Sequence, residues 1–525
     1  MRISELLERS RAECIGYTLA GATTRIVPIH LAEQARTCEE EIVAILDSDR
    51  RLIIGILRNL MTHNPLLREW TSTHFIRNID LLRRPEVRET LENFVSGKVH
   101  VIGCLEQDES GKLVFQDCKI PPMPGSYVYA IRSPYLLQKI TGQGDYIHVG
   151  RHVYTGWDVP LLYTLVNHHV GIFGTTGTGK SRLAALLATK LAEKGWHVII
   201  FDHTGVDYVP LLRDKAEIFE SSQIEVYPDI FARSIVRMSR LTSYYAEYIE
   251  LAFMAMVGTV KLEEILPSDK RRLLQQRKLT DGGEPEEEGE EEEETEETKP
   301  SVRSGKVLDV SRFEEFLQYV KVIMQSVGAR MHSIAKVMAF LKTYVDPKIF
   351  EEYEQRTIKP RTIVETALKK GLTVVDLSAD RELEIKQAIV ASVIEAAWSM
   401  VKERKERLNI AFVIDEARNY VPAREEPPSK DPIVTTVREG RKWNLAVILV
   451  SQRYVGDIDP DVRSNLNTVF FGSLPSTADL NEMSRYMNLA GIDESSIVRL
   501  GQRQFYVTGL MNPLKVPILI QAYEI

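Results

Sequence analysis

The sequence predicts an α/β fold: a mainly parallel sheet covered by helices, with a small β-barrel before it and a helical insertion within it. Three observations carry this reading. From about residue 165 to the end, apolar β-rich runs alternate with helix-compatible stretches, the pattern of a parallel sheet buried on both faces. Before residue 150, short runs rich in β-branched residues are separated by turn-type groups. Between about 210 and 365 helical spacing takes over.

Residues 1–150 are read as the barrel-like module. Ile42 to Leu46, Leu52 to Leu57 and Val99 to Gly103 suit short strands. Pro121-Pro122-Met123-Pro124-Gly125 is expected to begin the passage to the next module. All four cysteines, Cys14, Cys38, Cys104 and Cys118, fall in this part; their spacing fits no zinc pattern, and buried free thiols are expected. Residues 151–209 and 366–525 are read as the core sheet. Its strands are expected at Val170 to Phe173, His197 to Asp202, Leu372 to Leu377, Ile410 to Ile414, Leu445 to Ser451, Val469 to Gly472, Gln504 to Leu510 and Val516 to Tyr523. Residues 210–365 form the insertion, with helices such as Ser243 to Ala255 and Arg312 to Ser326, around an acidic tract at 281–300 that is expected to be disordered.

Charge and hydropathy narrow the function. With 44% hydrophobic and 27% charged residues the chain can bury a sizeable core, and no apolar run is long enough to cross a bilayer. The opening MRISELLERSRAE lacks the apolar centre of a secretion signal, so no membrane partner and a cytoplasmic location are expected. The net charge of −8 argues against a polyanion partner only at first sight. Eleven glutamates lie between Glu284 and Glu297, and without them the balance is +3, which leaves room for a positive channel.

The most specific motif is Gly174-Thr175-Thr176-Gly177-Thr178-Gly179-Lys180-Ser181, which fits the Walker A phosphate loop. It follows an apolar strand and opens a run with Leu183, Leu186, Leu187 and Leu191 at helical spacing. Glycines let backbone N–H groups turn inward around a polyanion, and the helix N-terminus adds partial positive charge. Lys180 is placed for the β- and γ-phosphates and Ser181 for Mg²⁺. The expected cofactors are therefore ATP and Mg²⁺, on a RecA-like P-loop ATPase core.

Hydrolysis needs more than a phosphate loop. The strand Ile410 to Ile414 ends in Asp415-Glu416, residue types suited to holding Mg²⁺ through its water shell and to polarising the attacking water, respectively. Arg438-Glu439-Gly440-Arg441-Lys442 offers a guanidinium for the γ-phosphate, with Arg441 the first candidate and Arg438 the second; an exposed basic cluster is the alternative. Gln452, just past Leu445 to Ser451, is placed to sense the γ-phosphate or else simply caps the strand. Asp202 closes another strand and starts Asp202-His203-Thr204-Gly205-Val206-Asp207-Tyr208, at a position where open parallel sheets carry ligand residues. The eleven histidines show no metal-ligand spacing, so protein-bound zinc is not expected.

In their shared order these pieces resemble the HerA family of archaeal DNA helicases and translocases, within the HerA–FtsK group. The resemblance runs from the β-rich module and Pro124-Gly125 through GTTGTGKS, FDHTGVDY, FVIDEARNYVP and REGRKWN to the strand ending in SQR and Ser464 to Thr468. It implies roles for Lys180, Ser181, Asp202, Asp415, Glu416, Arg441 and Gln452 at the matching positions. It also implies a homohexameric ring with ATP between subunits, double-stranded DNA in a central channel and a nuclease partner of the NurA type in end resection and repair. Three features depart from the family: Arg418 stands where a His is common after the acidic pair, the glutamate tract is unusual, and the C-terminal arm is expected to be short. Arg453 and Arg463, near strand tips, are candidate channel residues. A second functional class stays open, a nucleotide-switched ring scaffold that assembles a nuclease or defence effector. A packaging or conjugation motor and a metabolic P-loop kinase fit less well, the latter because no acceptor pocket is recognisable.

Overall fold

The structure, a computed structural model, describes residues 3–48, 51–63, 94–108, 112–141, 144–261 and 311–525; the acidic tract 281–300 lies outside them. Seven antiparallel strands build the first sheet: β1 (Glu13–Thr18), β2 (Ile26–Leu31), β3 (Ile42–Ser48), β4 (Arg51–His63), β5 (Phe94–Gln107), β6 (Leu113–Gln116) and β7 (Tyr127–Ala130). They run in the order β2-β1-β7-β3-β4-β5-β6, and β2 pairs again with β5, so six strands close into a barrel with β6 on its flank. Alternation along the strands fills it: Ile15, Val27, Ile29, Val43, Ile45, Ile53, Val99 and Val128 share one core. The opposite face of β3 and β4 is also apolar. Ile42, Ala44, Ile54 and Ile56 belong to a second core that the barrel shares with the large sheet.

Two expectations for this part are corrected. The proline-rich group 121–125 does not lead out of the barrel: the chain turns there and returns as β7, wedged between β1 and β3. The Thr18 hydroxyl donates to Met123 O at 2.7 Å to pin that turn. Of the four free cysteines only Cys104 is buried; Cys14 is exposed and the other two are half-buried.

The second sheet has eleven strands: β8 (Ile147–His152), β9 (Asp158–Leu161), β10 (Val170–Phe173), β11 (His197–Asp202), β12 (Glu217–Glu220), β13 (Leu372–Asp376), β14 (Ile410–Ile414), β15 (Leu445–Ser451), β16 (Thr468–Phe471), β17 (Gln504–Gly509) and β18 (Ile518–Ala522). Their order is β12-β13-β11-β14-β15-β10-β16-β17-β18-β8-β9. The first seven are parallel, and the last four extend the sheet antiparallel. Both faces are covered. On β11, Ile199 and Phe201 enter one core while Val198 and Ile200 enter the other. Strand β8 starts before residue 150 yet pairs with β18, and β12 lies within the stretch read as insertion yet forms the sheet's edge.

Among its described residues the insertion also holds the helices Pro228–Met238, Ala246–Met256, Arg312–Ser326, Met331–Tyr344 and Lys348–Gln355. Aromatic rings hold it together, with Phe231 and Phe253 centroids 4.9 Å apart and Phe316 and Phe350 centroids 5.0 Å apart. Among the described residues, no helix is long and apolar enough to cross a membrane.

Candidate nucleotide site

The site forms where parallel strands end. Strand β10 is buried throughout and releases the chain into the loop Gly174 to Gly179, after which the helix Lys180–Glu193 begins. Gly179 caps that helix with φ 94°, a left-handed conformation that strains any residue with a side chain. The loop is anchored at both ends: Thr175 N donates to Ser473 O at 2.7 Å, and Arg503 N donates to Thr178 O at 2.9 Å. Thr178 Oγ1 and Lys180 Nζ both donate back to Thr175 O, at 2.8 and 3.1 Å. Thr176 and Gly177 form the exposed crest, and Ser181 sits in the first turn of the helix.

Strand pairing fixes what faces the loop. Phe173 is in register with Ser451, so Gln452 stands beside Gly174. Asp457 holds that tip, accepting from Ser451 Oγ and Arg453 N at 3.3 Å each. Strand β14 lies one strand further, about 10 Å from β10 at ordinary sheet spacing, and carries Asp415 and Glu416 past its end. These groups feel one another. Burial pushes the Lys180 ammonium down, and Glu416, Asp415 and Asp207 pull it part of the way back. Burial also pushes Asp415 up to about 7, with Asp207, Glu416 and Asp202 adding to the rise against the Glu416 backbone N–H. Glu416 adopts φ 45°, which turns it out of the strand direction. Arg418 Nε lies 3.3 Å from Glu416 Oε2, without the geometry of a hydrogen bond.

Asp202 is fully buried, and its carboxylate shapes a turn. Oδ1 accepts from Thr204 N at 3.2 Å and Gly205 N at 3.0 Å; Oδ2 accepts from Tyr208 N at 2.9 Å and Val209 N at 3.2 Å. That turn brings forward Asp207, which sequence reasoning passed over although it lies in the same motif. Carboxylate oxygens of Asp202, Asp207 and Asp415 lie within 4.8 Å of one another, the one such cluster among the described residues. Clustered carboxylate oxygens are the hard donors that suit Mg²⁺.

The arginines lie elsewhere. Arg441 sits in the turn Gly440–Trp443 that leads into the start of β15, whereas the phosphate loop follows the end of β10. The two strands are parallel, so the length of β15 separates them, on the order of 20 Å. In keeping with this, the Arg441 charge reaches His168, just before β10, and after burial helps lower its pKa. A Cβ on Gly440 would stand 2.7 Å from Leu445 O, so glycine is needed for the tight turn that presents Arg441 to solvent. Arg438 is exposed and pairs with Asp461 of its own chain. Arg463, read as a channel candidate, is buried under the Tyr454 ring at 5.7 Å, which removes it from any channel surface. Arg453 is exposed.

Residues 147–397 match the sequence family described as "Helicase HerA, central domain". The chain is 24% identical over 463 residues to the DNA double-strand break repair helicase HerA of Sulfolobus acidocaldarius, covering 86% of this chain and 81% of that one. It is 21% identical to the protein of the same name from Pyrococcus furiosus, covering 98% and 92%. Among solved structures it is similar to VirB4 of Thermoanaerobacter pseudethanolicus, at a TM-score of 0.48 and 17% identity over 73% of this chain and 98% of that one.

Proposed function

We propose that the chain, whose residues 147–397 match the HerA central domain and which is similar to HerA helicases along most of its length, is an ATP-driven translocase and helicase of double-stranded DNA. It works as a homohexameric ring, with a nuclease partner of the NurA type, in DNA end resection and repair. The observation that carries the ring is the place of Arg441. It lies a full strand length from its own phosphate loop, so the γ-phosphate it can meet belongs to a second copy.

The chemistry follows from the site. ATP is cradled by the backbone of Gly174 to Gly179, and Lys180 exchanges its bond to Thr175 O for the β- and γ-phosphates. Ser181 and Asp415 would hold Mg²⁺, which neutralises developing charge on the phosphates when bound. Glu416 orients a water and accepts its proton as the water oxygen bonds to the γ-phosphorus. The bond from that phosphorus to the bridging oxygen breaks, giving ADP and phosphate. Gln452 contacts the γ-phosphate from the next strand tip, and Arg441 of the neighbouring copy stabilises the transferring group, a contribution of about 10³-fold or more. Asp202 acts through the turn it builds. DNA contacts would be electrostatic and sequence-independent, so binding weakens steeply with salt.

Mixing two inactive variants tests this. Glu416→Gln and Arg441→Ala should each lose DNA-stimulated ATP hydrolysis while still binding ATP. An equal mixture should regain turnover, since about a quarter of the interfaces then pair an intact Glu416 with an intact Arg441. An Arg441→Ala protein that hydrolyses ATP at the wild-type rate would overturn the shared site. DNA end resection that persists in Glu416→Gln with its nuclease would favour the scaffold instead.

A further inference from the structure

Two residues in the turn built by Asp202 are left without a role. Asp207 is half-buried, and a carboxylate oxygen of it lies within 4.8 Å of oxygens on Asp202 and Asp415. Asp202 has committed both oxygens to backbone N–H groups, so those left to face a cation belong to Asp207 and Asp415. The contact made by Asp207 is slight: Thr204 Oγ1 donates to it at 3.4 Å. Next in sequence, Tyr208 is fully buried, and its hydroxyl has no hydrogen-bond partner. A buried hydroxyl is seldom left unpaired, and its surroundings supply the reason. Asp415, Asp202, Asp207 and the Ser181 side chain are its polar neighbours. A phenol hydroxyl donates, and this one is set among the groups that would take the cation. Loss of a donor that fixes a ligating group typically costs about ten- to hundredfold in metal affinity.

We propose that Asp207 is a further oxygen donor to the cation site of Ser181 and Asp415, and that the Tyr208 hydroxyl is a positioning donor for that site. The proposal rests on the phosphate-loop reading above and adds the residues that give the loop its metal affinity.

The test is titration of the full-length protein with Mn²⁺ in the presence of ADP, followed by loss of the free Mn²⁺ electron paramagnetic resonance signal. A fluorescent ADP analogue in chelator measures metal-free nucleotide binding. Asp207→Asn and Tyr208→Phe should each weaken Mn²⁺ binding about tenfold or more, with metal-free nucleotide binding unchanged. Ser181→Ala serves as the reference, and melting temperatures check that each variant is folded; Tyr208→Phe removes a single oxygen. Wild-type Mn²⁺ affinity in both turn variants, with Ser181→Ala weakened, overturns the proposal and leaves the phosphate loop standing. Wild-type affinity in all three overturns both.

Discussion

Arg58→Met would break the junction between barrel and core sheet. Arg58, on β4, is 2% exposed. Its Nε and Nη2 donate to Glu40 Oε1 and Oε2 at 2.7 and 2.9 Å. Nη1 also donates to Ala490 O at 2.7 Å, and Nη2 to Pro517 O at 2.8 Å, so one side chain of the barrel ties two segments of the core. Glu40 accepts in addition from the Tyr506 hydroxyl at 3.1 Å. Without the guanidinium, Glu40 becomes a buried carboxylate with one neutral side-chain donor, a loss of about 3–5 kcal/mol. Two buried carbonyls lose their donor as well, which places the expected loss toward the upper end. Adding Glu40→Gln removes the stranded charge, and the double variant should regain part of the loss. Equilibrium urea unfolding of the single and double variants reads both numbers. A loss in Arg58→Met below about 1 kcal/mol, the value of an exposed ion pair, would refute the reasoning.

Three further outcomes are expected. Lys180→Ala removes the ammonium that faces the phosphates and should weaken binding of a fluorescent ATP analogue about ten- to hundredfold, the worth of a charged hydrogen bond; unchanged affinity would take the loop out of the mechanism. Arg418→Ala should change basal ATP turnover by no more than about fivefold, because a pair this exposed is worth no more than about 1 kcal/mol; a hundredfold loss would mean that Arg418 acts on the nucleotide itself. Burial lowers the His152 pKa from 6.5 to about 4, against the pull of Glu40 O, which accepts from Nε2 at 3.0 Å. Between those values the unfolded chain binds a proton that the folded chain refuses. The contribution of His152 is therefore full above pH 6.5 and falls as pH drops toward 4. Urea midpoints over that range should fall less in His152→Gln than in wild type, and parallel curves would contradict this.

How far the sequence could be read follows the range of each signal. The phosphate loop, β10, β11, β14 and β15 were legible because each is a local pattern, an apolar run ending in glycine, in acid or, for β15, in Ser451-Gln452. Strands β17 and β18 were legible as strands, but the antiparallel edge beyond them was not, because β8 and β9 come from before the phosphate loop and β8 pairs with β18 from the far end of the chain. Strand β12 has charged ends and only half-buried apolar residues, too weak a pattern against the helices around it. Strand β7 follows a proline group that reads locally as an exit from the barrel. Within the site, the acidic pair and Gln452 could be named from strand tips alone. Asp207 and Tyr208 depend on a turn that exists because Asp202 gathers four N–H groups, and no spacing rule announces it. The distance between Arg441 and its own phosphate loop likewise follows from the register of β10 with β15.

Imaging of the assembled protein with double-stranded DNA and a non-hydrolysable ATP analogue tests the shared site most directly. The account predicts closed rings of six with DNA in the channel, each nucleotide flanked by Lys180 and Glu416 of one copy and Arg441 of the next. Single copies that hold nucleotide with every Arg441 far from any phosphate would contradict it.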